Sequence, residues 1–303
     1  MILFNRYAIL FLMAKFVPDI KTQRWIVISQ TRTTRPDEHE HPADKQKPAV
    51  CVFCTGNEAM TPSEIMRVGD GEKDKPGWKV RVVPNKYPIT DTHEVIIHSP
   101  EHSRDIAEFD LNQVNQLLLV YRNRFQAHAG NGQVMLFCNH GNLAGASLNH
   151  PHSQLVLIPR QINLDALVRE PIMNVVDDNH YFVTYCPDFS QWPYEVWISP
   201  KKDGTVFGDV SDEELKDLSQ ILQYALKRLK VKYHQQTISR SHSQMPFSYN
   251  FYIHHAKNWF LRIIPRLVHR AGFELGTGLS VNVVDPTIAA EELKEIKVGL
   301  SSV

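Results

Sequence analysis

The sequence predicts an α+β protein built from two copies of one unit, and three features carry that prediction. The first is a repeated segment. Glu94-Val95-Ile96-Ile97-His98-Ser99-Pro100 is followed by Asp110 and then Leu111, Val114, Leu117, Leu118, Tyr121 and Phe125. Glu195-Val196-Trp197-Ile198-Ser199-Pro200 is followed by Ser211 and then Leu215, Leu218, Leu222, Ala225 and Leu229. Each reads as a strand ending at Ser-Pro and a helix whose apolar residues recur at helical spacing. The second feature is a pair of similar closing strands, Leu155-Val156-Leu157-Ile158-Pro159-Arg160 and Leu261-Arg262-Ile263-Ile264-Pro265-Arg266. The third is the interval of about a hundred residues between copies, which marks a duplicated supersecondary unit.

The remaining elements come in chain order. Residues 1–12 are apolar but broken by Asn5, Arg6 and Tyr7. They lack a basic leader region and are too short to span a bilayer. Met13-Ala14-Lys15 reads as the more natural start, which makes 1–13 an additional N-terminal segment. Residues 24–29, 79–83, 133–139 and 181–185 read as strands. Residues 32–48 are polar and contain Pro36, hence a loop. Asp110 is a helix N-cap, and Ser211 with Glu214 forms a capping box. Residues 164–176 read as a helix joining the halves, with the first half over 14–165 and the second over 166–303.

Composition narrows the function. Lys+Arg and Asp+Glu are both 33 and no charged tail is present, which argues against a nucleic-acid scaffold or a polybasic membrane binder. Four cysteines form no disulfide framework and fit a reducing cytoplasm.

The chemistry concentrates in Asn149-His150-Pro151-His152-Ser153-Gln154. In a strand, residues two apart share a side, so His150 and His152 face one site with Gln154 next in the row. Imidazole can be a metal ligand, a base or a nucleophile near neutral pH. The plainer alternative is a pair of buried, hydrogen-bonded histidines. The halves differ at this place: seven residues before Pro159 stands His152, and seven before Pro265 stands Asn258. On this count only the first half has paired imidazoles, leaving the second as support, substrate wall or interface.

Cys51-Val52-Phe53-Cys54 has the gap that lets two thiolates reach one ion. His102 and His150 are candidates for the other ligands of a structural zinc. A redox pair or two buried thiols are the competing readings. Cys138 and Cys186 lie in apolar runs and read as small core residues. If His150 ligates zinc, His152 is left for chemistry. An imidazole nitrogen can attack the α-phosphorus of a pyrophosphate and hold the nucleotidyl group until a second phosphate takes it. Donors on offer are Gln154, Ser147, Asn139 and the amides of 141–145; Arg32 and Arg35 can clamp phosphates in pairs, though two arginines in a loop taken alone also read as a solvated surface.

These residues resemble the galactose-1-phosphate uridylyltransferase family of the histidine-triad superfamily. Asn139-x-Gly141, Ser147 and His150-Pro151-His152-Ser153-Gln154 are similar to its active-site signature. Trp25-Ile26-Val27-Ile28-Ser29 with Arg32 and Arg35, the Cys51/Cys54 knuckle, Val83-Pro84-Asn85-Lys86-Tyr87-Pro88, Ser99-Pro100-Glu101-His102-Ser103 and Trp192-Pro193-Tyr194-Glu195 are similar too. The resemblance covers about residues 16–297. It implies two tandem, pseudo-symmetric histidine-triad-like units, each a mainly antiparallel sheet with helices. It also implies a ping-pong transfer through His152, with Gln154 and Ser147 at the phosphoryl group. Arg32, Arg35 and Asn139 become substrate contacts, and zinc is held by Cys51, Cys54, His102 and His150. Glu274 carries over as an acceptor for a sugar hydroxyl.

The sequence departs from the family where a second metal is bound. Arg262 and Ile264 stand in place of a His-x-His, so no second metal is expected. Ser280 replaces a glutamine, and Gly272-Phe273-Glu274-Leu275-Gly276-Thr277-Gly278 is similar to the branch containing ADP-glucose phosphorylases. The expected reaction moves a nucleoside monophosphate between a nucleoside-diphosphate hexose and a hexose 1-phosphate. The nearest alternative is adenylyl transfer to inorganic phosphate. A histidine-triad hydrolase is disfavoured because Gln154 has no titratable proton, and a zinc-stabilised binding protein leaves His152 unexplained. A cytoplasmic homodimer with no nucleic-acid or membrane partner completes the reading, the dimer by resemblance alone.

Overall fold

The computed structural model describes residues 14–19, 24–34, 50–164, 167–169, 171–241 and 245–299. The expectations for residues 1–13, for Arg35 and for most of the 32–48 loop lie outside them. A hairpin of β1 (Lys15–Pro18) and β2 (Trp25–Ile28) comes first. It is tied to residues 88–91 of the main sheet's first half, where Ser29 Oγ donates to the Pro88 carbonyl at 2.6 Å and Ala14 N to Asp91 Oδ1 at 2.9 Å.

Ten strands then form one antiparallel sheet. The first five are β3 (Met66–Gly69), β4 (Trp78–Pro84), β5 (His93–Ile97), β6 (Gln133–His140) and β7 (His152–Ile158). The second five are β8 (Val175–Asp178), β9 (Phe182–Tyr185), β10 (Val196–Pro200), β11 (Tyr249–Ile253) and β12 (Leu261–Pro265). Across the sheet they run β3-β4-β5-β7-β6-β11-β12-β10-β9-β8. Counted from either edge, the order is first, second, third, fifth, fourth. The fold is therefore α+β, two tandem units related by pseudo-symmetry and joined along β6 and β11, where Leu136 pairs with Ile253 and His140 with Tyr249.

Both long helices lie on one face. In α1 (Leu111–Ala129) Asp110 accepts from the Gln113 amide at 2.7 Å. In α2 (Asp212–Ser241) the capping box is reciprocal: Ser211 Oγ accepts from the Glu214 amide at 3.2 Å, and the Glu214 carboxylate from the Ser211 amide at 2.7 Å. Such caps contribute about 1 kcal/mol each, so most helix stability comes from the buried stripe. Leu117, Leu118 and Tyr121 of α1 and Leu218, Leu222 and Leu226 of α2 are buried with Val80, Ile96, Leu136, Leu155, Phe251 and Ile263 of the sheet. Alternation along β7 sends Ser153 and Leu155 to this helical side, and His152 and Gln154 to the other. The long helices thus leave one sheet face for a site. Two short helices, α3 (Gly272–Thr277) and α4 (Pro286–Glu295), close the chain.

One expected element is corrected. The described residues of 164–174 are not helical, and Val175–Asp178 is edge strand β8. Leu164, Leu167 and Val168 mimic a helical stripe, but Pro171 and the positive φ of Asn174 (52°) break it, and Leu167 packs on a cluster of the second half. Among the described residues no helix is long and apolar enough to cross a membrane.

Candidate active site and metal centre

Two backbone carbonyls decide the state of the paired imidazoles. His152 Nδ1 lies 2.9 Å from the His150 carbonyl oxygen, which can only accept. The ring proton is therefore on Nδ1 and the lone pair on Nε2. His150 Nε2 donates in the same way to the Ser99 carbonyl at 2.8 Å. Its Nδ1 lone pair consequently faces Cys51 Sγ at 3.7 Å and Cys54 Sγ at 3.6 Å. His102 Nδ1 is 3.4 Å from Cys54 Sγ, and all four donor atoms lie within 4.8 Å of one another.

Those separations suit one tetrahedral ion. With metal–sulfur and metal–nitrogen bonds of about 2.3 and 2.0–2.1 Å, a tetrahedral centre holds its sulfur and nitrogen donors about 3.6 Å apart. The electrostatics agree. Burial pulls His150 down to about 4, keeping the ring neutral as a ligand must be. Burial, with Cys54 adding to it, pushes the Cys51 thiol up to about 11. A thiolate there needs a cation beside it. The sequence reading named all four donors of this candidate metal site, although His102 and His150 come from the β5–α1 and β6–β7 connections, far from the cysteine knuckle.

A cavity of about 340 Å³ adjoins this centre. Val52, Phe53, Met60, Pro62 and Val83 form apolar walls, while Ser147, His152 and Gln154 bring polar groups. Phe53 holds the His152 ring edge-on at 5.2 Å. His152 and Gln154 are both nearly buried, so charge developing among them is weakly screened. Behind the strand, His98 Nε2 lies 2.7 Å from Ser153 Oγ and 3.0 Å from the Tyr121 hydroxyl, a buried network that backs β7 from the helical side.

The other predicted residues divide. Arg32 donates to the Tyr87 carbonyl at 3.0 Å, at the cavity wall; Arg35 lies outside the described residues. Asn139 does not line the cavity. Its Oδ1 accepts from Asn250 Nδ2 at 2.8 Å, and the same amide reaches the Ala144 carbonyl at 2.9 Å, clamping the turn before Ser147. Gly141 permits that turn, because at φ 82° a Cβ would sit 2.3 Å from Ser248 Oγ. Glu274, on α3, is also absent from the cavity wall and caps its own helix through the Ala271 amide at 3.0 Å. One residue escaped the sequence reading altogether: His93 Nε2 lies 3.0 Å from Gln154 Oε1. Its signal was the period of two with Val95 and Ile97 along the same strand.

The register corrects the counterpart of the nucleophile candidate. His152 pairs with Ile97, two residues before Ser99, and Arg262 pairs with Trp197, two before Ser199. Arg262, not Asn258, therefore occupies the place of His152. Asn258 sits in the preceding turn at φ 58°. Arg262 makes a two-pronged pair with Glu195 at 2.7 and 2.8 Å, and Trp197 Nε1 donates to the same carboxylate at 2.7 Å. Phe260 stands where His150 would and stacks on Trp197 with ring centroids 3.8 Å apart.

Comparison with known proteins agrees with this geometry. Residues 38–160 match the N-terminal domain of a family described only as a domain of unknown function, DUF4931. The chain is 28% identical to the ADP-glucose phosphorylase of Arabidopsis thaliana, over 92% of each chain. It is 25% identical to the galactose-1-phosphate uridylyltransferase of Thermotoga maritima, over 92% of this chain and 97% of that one. The crystal structure of an Arabidopsis thaliana ADP-glucose phosphorylase with bound ADP-glucose superposes with a TM-score of 0.67 at 26% identity, covering 94% of this chain and all (100%) of the other. Fold and sequence together relate this chain to the ADP-glucose phosphorylases and the galactose-1-phosphate uridylyltransferases, in keeping with the resemblance carried by its motifs.

Proposed function

We propose that this protein is a nucleotidyltransferase that takes a nucleoside monophosphate from a nucleoside-diphosphate hexose by way of His152. The observation that carries the reading is the Nδ1–H of His152 on the His150 carbonyl, which leaves the Nε2 lone pair on the cavity side of the strand. Nε2 attacks the α-phosphorus. A P–N bond forms, the bond from α-phosphorus to the bridging oxygen breaks, and the hexose phosphate leaves with that electron pair. An oxygen of the acceptor phosphate then attacks the same phosphorus, and the P–N electrons return to Nε2. Gln154 and Ser147 donate to the phosphoryl oxygens, and Arg32 draws the substrate phosphates to the wall.

Zinc is assigned to Cys51, Cys54, His102 and His150 on the donor set and spacing above. When bound there, zinc would supply stability and orientation by fixing the His150 ring, while the His150 carbonyl accepts from His152 Nδ1.

Adenylyl transfer from ADP-glucose, with inorganic phosphate as acceptor, is the favoured form. Likeness to the ADP-glucose phosphorylase extends over nearly the whole chain. The cavity also reads a base mainly by area. Its Thr61 hydroxyl is already used, donating to the Glu58 carbonyl at 2.9 Å and accepting from Arg81 at 2.7 Å. Apolar walls with few uncommitted polar groups suit a purine face better than the imide edge of uracil. Uridylyl transfer to hexose 1-phosphate stands second, on the Thermotoga relative.

We further assign residues 14–165 as the catalytic half and 166–303 as support. Asn250 and Arg266 hold the 141–145 turn, the latter by donating to the Leu143 carbonyl at 3.3 Å. Glu274 reaches a sugar only if a second copy presents it, which fits a cytoplasmic homodimer with shared sites.

The test is direct. Protein incubated with ADP-glucose or UDP-glucose, without acceptor, is digested at neutral pH and weighed by mass spectrometry. An adenylyl adduct on His152 is expected, absent in His152→Ala, which should keep its zinc and its melting temperature. Turnover by His152→Ala at the parent rate rejects the nucleophile.

A further inference from the structure

We propose that His93, the first residue of β5, is a positioning residue for the nucleotidyl transfer: it turns the Gln154 amide so that its N–H2 group, not its oxygen, meets the transferred phosphoryl group. This rests on the site reading given above and adds to it a residue outside the signature motif.

Ile89 N lies 2.9 Å from His93 Nδ1, and a backbone N–H can only donate. Nδ1 is therefore the acceptor, and in the neutral ring the proton resides on Nε2. That nitrogen faces Gln154 at 3.0 Å, so the atom opposite it must be the amide oxygen. With the oxygen held by His93, the Gln154 nitrogen and its two hydrogens turn toward the cavity that His152 and Ser147 also line. Negative charge grows on the phosphoryl oxygens during attack, so a donor there helps and an acceptor there opposes.

A competing contact exists. Asn85 Nδ2 lies 3.1 Å from the same His93 Nε2, and its own oxygen is pinned by the Tyr87 amide at 2.7 Å. Two donors, the Ile89 amide at Nδ1 and the Asn85 amide at Nε2, thus converge on one ring, and a neutral imidazole has a single acceptor nitrogen for them. The Ile89 amide decides, because it is nearer and cannot rotate, whereas the Asn85 amide can swing out of plane. The opposite tautomer would set the Nδ1 proton against the Ile89 N–H and turn the Gln154 oxygen into the cavity. Gln154 is 5% exposed and His93 4%, so water does not replace either bond. Asn85 and Tyr87 are themselves cavity-wall residues, so the same ring couples that wall to the phosphoryl donor.

The experiment uses zinc-loaded protein and ADP-glucose without acceptor, and follows the rate at which the His152 adduct forms in a single turnover. His93→Ala is expected to slow that step by about tenfold to a hundredfold, the range for losing an orienting partner, with the loss in kcat and not in KM. His93→Gln, whose amide nitrogen reaches about as far as the imidazole Nε2, should recover most of the rate. His93→Ala combined with Gln154→Ala should be no slower than Gln154→Ala alone, because His93 acts only through Gln154. Zinc content and melting temperature are read on each variant. If His93→Ala does not fold, the cycle is run with His93→Asn, which keeps a polar group but falls short of Gln154. Adduct formation at the parent rate in the shortened variant, or losses that multiply in the double variant, overturn the proposal. Failure of the parent to form an adduct from either ADP-glucose or UDP-glucose instead refutes the site reading itself.

Discussion

Of the fifteen histidines in this chain, burial separates those that the structure describes into several different roles. His150 and His152 stand two apart, and each has one ring nitrogen on a backbone carbonyl, which sets its tautomer. His254 has no such task. It is stacked on Phe260 at 4.9 Å beside His255, and burial, with His255 adding to it, pulls it down to about 4. An unfolded histidine titrates near 6.5, so between those two values the unfolded chain binds more protons than the folded one. Stability from keeping this ring neutral is full above 6.5 and is lost as pH falls toward 4. The melting temperature should therefore drop between pH 7 and pH 5, and less steeply in His254→Phe, which keeps the stack without the titration. A variant slope as steep as the parent's would assign the acid sensitivity to other groups. At this scale the paired histidines and the cysteine knuckle could be read because their spacing is local. His93 could not, since only the fold brings Ile89 and Gln154 to its two nitrogens.

Two matching strands, β7 and β12, show how one element serves two purposes. Both close their unit in the same place, yet one bears the His152 imidazole and the other a guanidinium against Glu195. Arg262 and Glu195 are 7% and 0% exposed in their side chains, so neither charge has water to fall back on. Removing one partner of such a pair leaves the other uncompensated and costs about 3–5 kcal/mol. Arg262→Met should lower the unfolding free energy by that amount, read from denaturant titration, without changing zinc content. The double replacement with Glu195→Gln should recover much of the loss, and an undiminished deficit in it would show that packing on Tyr252 and Trp197 matters more than charge. The paired strands and long helices were readable from periodicity and caps. Strands β1, β3, β8 and β11 were not. β8 is too short to establish a period, and the apolar residues before it imitate a helix.

The joint along β6 and β11 makes one sheet of two units, and it sets how the molecule should unfold. Splitting the halves would expose paired backbone on both sides of that joint and uncover the core shared by α1 and α2. A single cooperative transition is therefore expected in calorimetry. Cys51→Ser in the first unit and Arg262→Met in the second should move that same transition downward. Two separable transitions, each shifted by one substitution alone, would contradict it. The duplication itself was legible from the repeated Ser-Pro strands, because a copied unit repeats its local chemistry. The alignment of the copies was not. Counting back from proline chose Asn258, while strand pairing chose Arg262, since only hydrogen-bond register says which residues are opposite. From the chain alone came the class of fold, the duplicated plan, the candidate nucleophile and the donor set, all properties of residue type and short spacing. Tertiary structure alone decided which donors converge, which tautomer each ring adopts and which residues leave the cavity, because these depend on atoms distant in sequence meeting within hydrogen-bond range.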